Sequence, residues 1–387
     1  MTLADLADET LRQQEFAVVA QKNFLAHASV APLPRVAVDA LIRHAQAAAT
    51  AGPDEYGQAL KHVQATRETC ATLIGATPGE IALLGPTSLG LSLIANGLDW
   101  APGDEVLYYA DDYPANVYPW SNLALRGVVP RAFTTERRGE ITPQAIEAAL
   151  TPGTRLVALA TANFVTGYRI DIDAIGQMLH ARGILFSLDA IQTLGAFPLS
   201  VRHVDFLSAD SHKWMLGPLA IGIVYVKEEH FGRLRPSLLG GENVRSPDFV
   251  AQSEIVFKDT AARYEPGVLN LGPLLAMKAS LDLLLGFGLD TVAERIGVLR
   301  RRLAGGLQEM GFVSASPVDG PRASGILSVF HPTADVPALA GTLAQNRVTI
   351  SLRRDRERRP HLRFSPHCYN MEAEIDQALA VLRKTLG

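Results

Sequence analysis

Cysteine is nearly absent from this chain, with only Cys70 and Cys368 among 387 residues, far apart and without CxxC or metal-ligand spacing. That excludes a disulfide scaffold, argues against a zinc site, and fits a reducing compartment. Long apolar runs are missing too: no stretch approaches the roughly 18 uninterrupted apolar residues of a membrane span. The segment Met1 to Phe16 is acidic and amphipathic, without the basic start and apolar run of a secretory signal. The expectation is a cytoplasmic protein that does not engage a membrane. Neither sign of charge dominates, since 36 Lys+Arg stand against 40 Asp+Glu for a formal charge of -4, which is too balanced for a surface that collects nucleic acid. The one basic cluster, Arg353, Arg354, Arg356, Arg358 and Arg359, is broken by Asp355 and Glu357, carries no interleaved aromatics, and reads as a solvated loop. No 20 to 50 residue repeat is visible, and none of G-x-G-x-x-G after a strand, G-x-x-x-x-G-K-[ST], H-E-x-x-H or G-x-S-x-G occurs.

What is present is a globular composition, 48% hydrophobic and 20% charged, at a length that suggests two or three packing units. From Ala76 to Val226, short apolar runs bounded by polar or Gly/Pro residues alternate with helical patterns. The runs are Ile81 to Leu84, Glu105 to Tyr109, Leu156 to Thr161, Ile184 to Leu188, Phe206 to Ser208 and Ile221 to Val226. Fully apolar strands between helices are what a mostly parallel sheet covered on both faces requires. Beyond Glu265 the pattern changes to long helices at 271–287 and 290–310, strand candidates at 325–330 and 348–352, and a last helix at 372–386. The expected layout is a large α/β unit over 21–265 and a smaller α+β unit over 266–387, joined by residues 1–20.

In open α/β sheets ligands sit beyond the carboxyl ends of the strands. The polar residues there are Asp189 and Gln192, then Asp210-Ser211-His212-Lys213-Trp214, then Asn163, and finally Thr87 and Ser88 at a helix start. A lysine, a carboxylate and hydroxyls at a helix N-terminus are together explained by one cofactor, pyridoxal phosphate. Its aldehyde needs a lysine, its ring nitrogen a carboxylate, and its phosphate the N–H groups and hydroxyls of a helix start.

With these residues in view, the chain resembles the class V aminotransferases of fold type I, in the branch of cysteine desulfurases, C-S lyases and isopenicillin N epimerase. The resemblance runs from about Asn23 to the C-terminus. It is carried by Leu188-Asp189-Ala190-Ile191-Gln192, by Asp210-Ser211-His212-Lys213-Trp214 with Gly217-Pro218, and by Arg363-Phe364-Ser365-Pro366-His367-Cys368-Tyr369-Asn370. It implies that Lys213 forms the Schiff base, Asp189 pairs with the ring nitrogen, and Gln192 and Asn163 bond near the phenolic oxygen. Thr87, Ser88 and His212 hold the phosphate, with Asp210 counted in the same site. Tyr113 stacks on the ring, and Arg363 grips the substrate carboxylate, for which a guanidinium fork is well suited. His27 borders the substrate. The resemblance also implies a homodimer with its active site near the interface, where Gly267 approaches the partner's phosphate; Val268 stands where a threonine is common. Each side chain has a structural reading as well: Asp189 as a helix cap, Tyr113 as a core aromatic, Arg363 paired with a structural carboxylate, His27 as a structural histidine.

One departure bears on the reaction. A desulfurase needs a thiol on the loop before Arg363, and Leu352 to Leu362 contains none; Cys70 and Cys368 read as packing residues. The expected function is therefore amino-acid chemistry at the α-carbon, foremost a β-eliminating C-S lyase on a cysteine-derived substrate without persulfide chemistry, and next an aminotransferase or epimerase. A catalytically silent module of the same fold is the alternative from another class. No metal is expected.

Overall fold

A computed structural model describes the backbone from Met1 to Gly387 and all side chains except those of Pro53, Glu55 and Phe249. Thirteen strands occur along it: β1 (Asn23–Phe24), β2 (Ile81–Leu83), β3 (Glu105–Tyr109), β4 (Val129–Phe133), β5 (Thr154–Ala160), β6 (Leu185–Asp189), β7 (Phe206–Asp210), β8 (Gly222–Val226), β9 (Val313–Ser314), β10 (Leu327–Phe330), β11 (Val348–Thr349), β12 (Ser351–Arg354) and β13 (Pro360–Phe364). Seven form one sheet in the order β2-β8-β7-β6-β5-β3-β4. The pairs from β7 to β4 are parallel, while β8 runs antiparallel to both neighbours.

Every residue of β6, β7 and β8 is buried, because helices cover both faces of the sheet, and this is why these strands read as continuous apolar runs. One face packs Leu107, Val157 and Phe186 against helices 53–74, 172–180 and 271–287. The other packs Val106, Leu156 and Phe206 against helix 87–97 and Trp120. Each such large side chain taken from water contributes roughly 1.5–3 kcal/mol. The edge strand β4 was not expected. It is mostly exposed and carries Pro130 and Arg131, so it has no apolar run to betray it, and an edge is where a strand tolerates proline.

A four-stranded antiparallel sheet, β12-β13-β10-β9, lies against helices 289–309, 336–345 and 372–386. The N-terminal segment closes on this part of the chain. β1 pairs in parallel with β11, and Arg12 bonds the Tyr369 carbonyl and Glu374 at 3.3 and 3.1 Å. The helix Leu271–Phe287, expected in the smaller unit, instead lies in the core of the large sheet through Leu274, Met277 and Leu281, while Leu284 and Phe287 reach the cluster that holds Phe16, Trp214 and Tyr369. It is apolar on nearly every side because it is packed on nearly every side. Among the described residues no single helix is long and apolar enough to cross a membrane, and helices 271–287 and 289–309 meet at an 80° bend.

Candidate active site

Three parallel strands deliver the chemistry to one edge. Asp189 ends β6, opposite Ala160 of β5 and Ser208 of β7, and Asp210 ends β7. The loop that follows brings Lys213 back over this edge. Leu216 and Ala220 in that loop hold left-handed backbone, φ +55° and +58°, a conformation non-glycine residues adopt at a cost and that gathers at functional sites. Beyond the strand ends lies a cavity of about 310 Å³, lined among others by Thr87, Ser88, Tyr113, Asp189, Gln192, His212, Lys213, Arg353 and Arg363, of the size a small-molecule site needs.

Lys213 Nζ stands 5.7 Å from the centroid of the Tyr113 ring. Burial lowers its pKa to about 8, with Asp189 opposing the shift and Arg363 and Arg353 adding to it. An amine in this state is a competent nucleophile near neutral pH. Asp189 is buried and accepts a bond from the Ile191 N–H at 3.0 Å on one oxygen. Burial pushes its pKa up, while the Ile191 N–H and Lys213 hold it down. Beneath it Asp112 is pushed up to about 7 by burial and by Asp189, and its oxygens accept from Tyr113 N–H, Asn116 Nδ2 and Ala160 N–H.

The helix Thr87–Gly97 starts at the cavity wall. Its first bonds run from the Leu89 and Gly90 N–H groups to the Pro86 carbonyl, which leaves the Thr87 and Ser88 N–H groups facing outward at the positive end of the helix dipole. Thr87 Oγ1 accepts from the Asp210 N–H at 2.8 Å, so its own proton is free to be donated. His212 Nδ1 is 3.0 Å from Asp210 Oδ1, within ion-pair reach but without hydrogen-bond alignment, and both Asp210 oxygens are buried without a hydrogen bond. Gln192 is oriented from both ends: Oε1 accepts from Trp214 Nε1 at 3.2 Å and Nε2 donates to the Ala28 carbonyl at 3.3 Å. The indole of Trp214 lies so close to Gly325 that a Cβ there would come within 2.1 Å of the ring.

On the opposite wall, Arg363 is 1% exposed. Its Nη1 donates to the Phe164 carbonyl at 2.7 Å and its Nη2 to Ser351 Oγ at 3.4 Å, and its Nε is buried without a partner. Burial, then the charge of Arg353, lowers its pKa to about 9. Arg353 was expected in a solvated loop, but the segment is a hairpin. β12 and β13 pair Ser351 with Arg363 and Arg353 with His361, and the two-residue period puts all four on one face. The tip of the hairpin is solvated, as are Leu352 and Arg354 on the other face of β12, and the tip is clamped to the large sheet. Arg138 reaches Asp111 at 3.3 Å, Asp355 at 3.1 Å and also Glu357, and Arg356 reaches Asp111 at 2.6 Å.

Other expected residues stand elsewhere. Asn163 is not on the cavity wall. Its Oδ1 accepts from the Val165 and Thr166 N–H groups and the Thr166 hydroxyl, and its Nδ2 donates to the Asp111 carbonyl, so the side chain braces its own turn. His27 is fully buried behind the site. Its Nδ1 bonds the Ser365 carbonyl and its Nε2 the Tyr369 hydroxyl, and burial drives its pKa well down, which leaves a neutral structural histidine. Gly267 and Val268 are exposed and do not line the cavity. Both thiols are buried and pushed up to about 12 by burial, and neither lines the cavity. Missed in the sequence were Arg353, whose signal was the alternation Ser351, Arg353, and Phe164, which had none.

The profile of the family described as aminotransferase class-V matches residues 23–378. A probable cysteine desulfurase of Methanothermobacter thermautotrophicus is 31% identical over 304 residues, 77% of this chain and 73% of that protein. The isopenicillin N epimerase of Amycolatopsis lactamdurans is 28% identical over 381 residues, 92% and 93% of the two chains. Among solved structures, an apo cysteine desulfurase from Thermococcus onnurineus NA1 superposes with a TM-score of 0.89 at 22% identity, over 97% of each chain; that likeness establishes the fold.

Proposed function

The chain belongs to the class-V aminotransferase family, and from that membership we propose that it is a pyridoxal 5'-phosphate enzyme acting at the α-carbon of an amino acid, a β-eliminating C-S lyase on a cysteine-derived substrate that uses no protein persulfide. The observation that carries the proposal is a half-buried Lys213, its amine desolvated and acted on by the charge of Asp189, in a cavity that no thiol lines.

The residues present fit the cofactor. Thr87 and Ser88 offer unpaired N–H groups and hydroxyls to a phosphate, with His212 beside them, and Asp189 offers a carboxylate oxygen to the ring nitrogen. Tyr113 is half exposed at the cavity, where it can stack on a ring face. Gln192 keeps a second amide N–H for the phenolic oxygen. Bound there, pyridoxal phosphate supplies an electron sink for negative charge developing at the α-carbon.

The chain's own side chains do the rest. Lys213 would hold the cofactor through its amine, and that amine, with a pKa near 8, would take the α-proton and pass it to the thiolate that leaves the β-carbon, as an acid-base group poised close to working pH. Asp189 keeps the sink effective by staying negative against a protonated nitrogen. Arg363, fixed by the Phe164 carbonyl, orients the α-carboxylate and hence the bond to the α-proton. A thiol with a pKa near 12, outside the cavity, is neither deprotonated nor within reach. A silent scaffold would have no need to hold an amine buried.

Incubation with S-substituted cysteines tests the reading: pyruvate with ammonia is expected. A keto acid formed only when a second keto acid is supplied would make it an aminotransferase, and loss of chirality at the α-carbon without release of product an epimerase. We further propose a homodimer, with Gly267 and Val268 toward the partner's phosphate. Its support is the apolar surface beside the cavity, where Tyr118 and Leu125 are 67% and 85% exposed. Sedimentation of a fully active monomer would refute it.

A further inference from the structure

We propose that Arg353 forms a second anion site, so that the substrate is an amino acid whose side chain carries a carboxylate in addition to the one on its α-carbon. This rests on the reading of the site given above and names the substrate class that reading leaves open.

The argument starts from the hairpin register. Arg363 sits opposite Ser351, and Arg353 lies two residues further along β12, which makes the two arginines diagonal neighbours on one face, roughly 7–8 Å apart. Like charges so placed repel, and Arg353 does lower the pKa of Arg363. Two guanidiniums and a lysine line one cavity against the single carboxylate of Asp189, an excess of positive charge that calls for bound anions.

The two guanidiniums are drawn to different walls. Arg363 is held by the Phe164 carbonyl and Ser351. Arg353 donates from Nη2 to Ser29 Oγ at 3.3 Å, in the segment that follows β1. Each keeps a buried Nε–H without an acceptor. Among the described residues Arg353 makes no ion pair, and the carboxylates nearest its hairpin are engaged elsewhere: Asp355 by His361 at 3.2 Å and by Arg138, Glu357 by Arg138, and Asp111 by Arg138 and Arg356. The exposed arginines of the same run behave otherwise, since Arg356 is paired with Asp111 and Arg354 bonds the Arg358 carbonyl.

A phosphate belongs at the Thr87 helix start, across the cavity, and the α-carboxylate at Arg363, so the group that satisfies Arg353 comes from the far end of the substrate. A side-chain carboxylate meets the guanidinium as a fork and satisfies the orphaned Nε–H.

Binding without turnover tests this on the enzyme as purified with its cofactor. Dissociation constants for glutarate and succinate, two-carboxylate probes, are compared with that for butyrate, read from the cofactor absorption and by calorimetry. The better of the two dicarboxylates is expected to bind roughly 10- to 100-fold more tightly than butyrate, as a charge-assisted pair would give. Arg353→Gln should bring that ratio close to one, Arg353→Lys should restore part of it, and Arg363→Gln should weaken all three probes. Equal binding of the probes by the parent enzyme, or an Arg353→Gln variant that weakens all three by one factor, would mean that both arginines grip a single carboxylate and would overturn the proposal. Borohydride trapping of a pyridoxyl group on Lys213 is scored on the same sample. Its absence would defeat the cofactor reading, whereas its presence without discrimination defeats only the second anion site.

Discussion

Lys213 should capture pyridoxal phosphate with a pH dependence that no exposed lysine shares. An ordinary lysine titrates at 10.5, and burial brings Lys213 to about 8. At pH 7 roughly one amine in ten is then neutral, against about one in 3,000 for a free lysine, a ratio on the order of 300. The perturbation is pH itself, from 6.5 to 10.5, applied to protein freed of cofactor, and the assay is stopped-flow absorbance on mixing with pyridoxal phosphate. Dividing each rate by that of acetyl-lysine at the same pH cancels the cofactor's own ionisations. The quotient should be flat below pH 8, where both amines gain neutral form tenfold per unit, and should fall tenfold per unit between 8 and 10.5, where only the free lysine still does. The same shift has a consequence for stability. A folded-state pKa below the unfolded one means that the unfolded chain binds more protons between 8 and 10.5, so the cofactor-free protein should gain stability as pH rises through that window and lose it as pH falls back. A quotient that stays flat from 6.5 to 10.5 would show Lys213 to be an ordinary exposed lysine and would sink the argument for its burial.

Asp189→Asn should still be labelled on Lys213 by borohydride but lose turnover on the order of 10²-fold or more, since an amide cannot hold a ring nitrogen protonated; a variant within a few-fold of the parent would return Asp189 to a capping role. Replacing Cys70 and Cys368 together by alanine should leave turnover per folded molecule nearly unchanged, with a fall in melting temperature from two small cavities; normal cofactor absorbance with lost turnover would reinstate a catalytic thiol. Gly325→Ala should cost roughly 1–3 kcal/mol in denaturant unfolding, because its Cβ would enter the Trp214 ring. The displaced indole should also release Gln192 and alter the cofactor absorption, and an unchanged spectrum and midpoint would contradict the packing described.

The large sheet was legible because burial on both faces wrote its strands as apolar runs, and the residues ending those runs, Asp189 and Asp210, with Lys213 and Thr87 close behind, could be read by position alone. On the opposite wall only Arg363 was legible, through the family resemblance. Arg353 lay within a run of five arginines that local pattern cannot divide, and only the pairing of β12 with β13, a contact made through a turn and a register, separates it from its solvated neighbours. Asn163 and His27 carry the right chemistry at the right strand ends, yet an amide is consumed wherever a turn offers it N–H groups, and a histidine behind the sheet finds a carbonyl and a tyrosine before it finds the cavity. Such competition is settled by rotamers, which sequence position does not specify. The change of pattern after Glu265 places the helix at 271–287 with the smaller layer, and its even coating of apolar residues is the sign that two layers share it.

The closing of residues 1–25 onto 348–386, through β1 with β11 and Arg12 with Glu374, has a kinetic meaning. A contact across 362 residues, as between Arg12 and Glu374, has a very long loop to close, and such contacts form late. As the chain leaves the ribosome, β2 to β8 and their helices are complete long before β11 and β13 exist. Residues 1–25 must then wait, unpaired, for residues 348–386. Lys213, Asp189 and the Thr87 helix therefore belong to the part that folds early, and Arg353 and Arg363 to the part that arrives at the end. Cofactor capture and substrate recognition share one cavity yet are separated in assembly, and a partly folded chain would hold the first before it acquired the second.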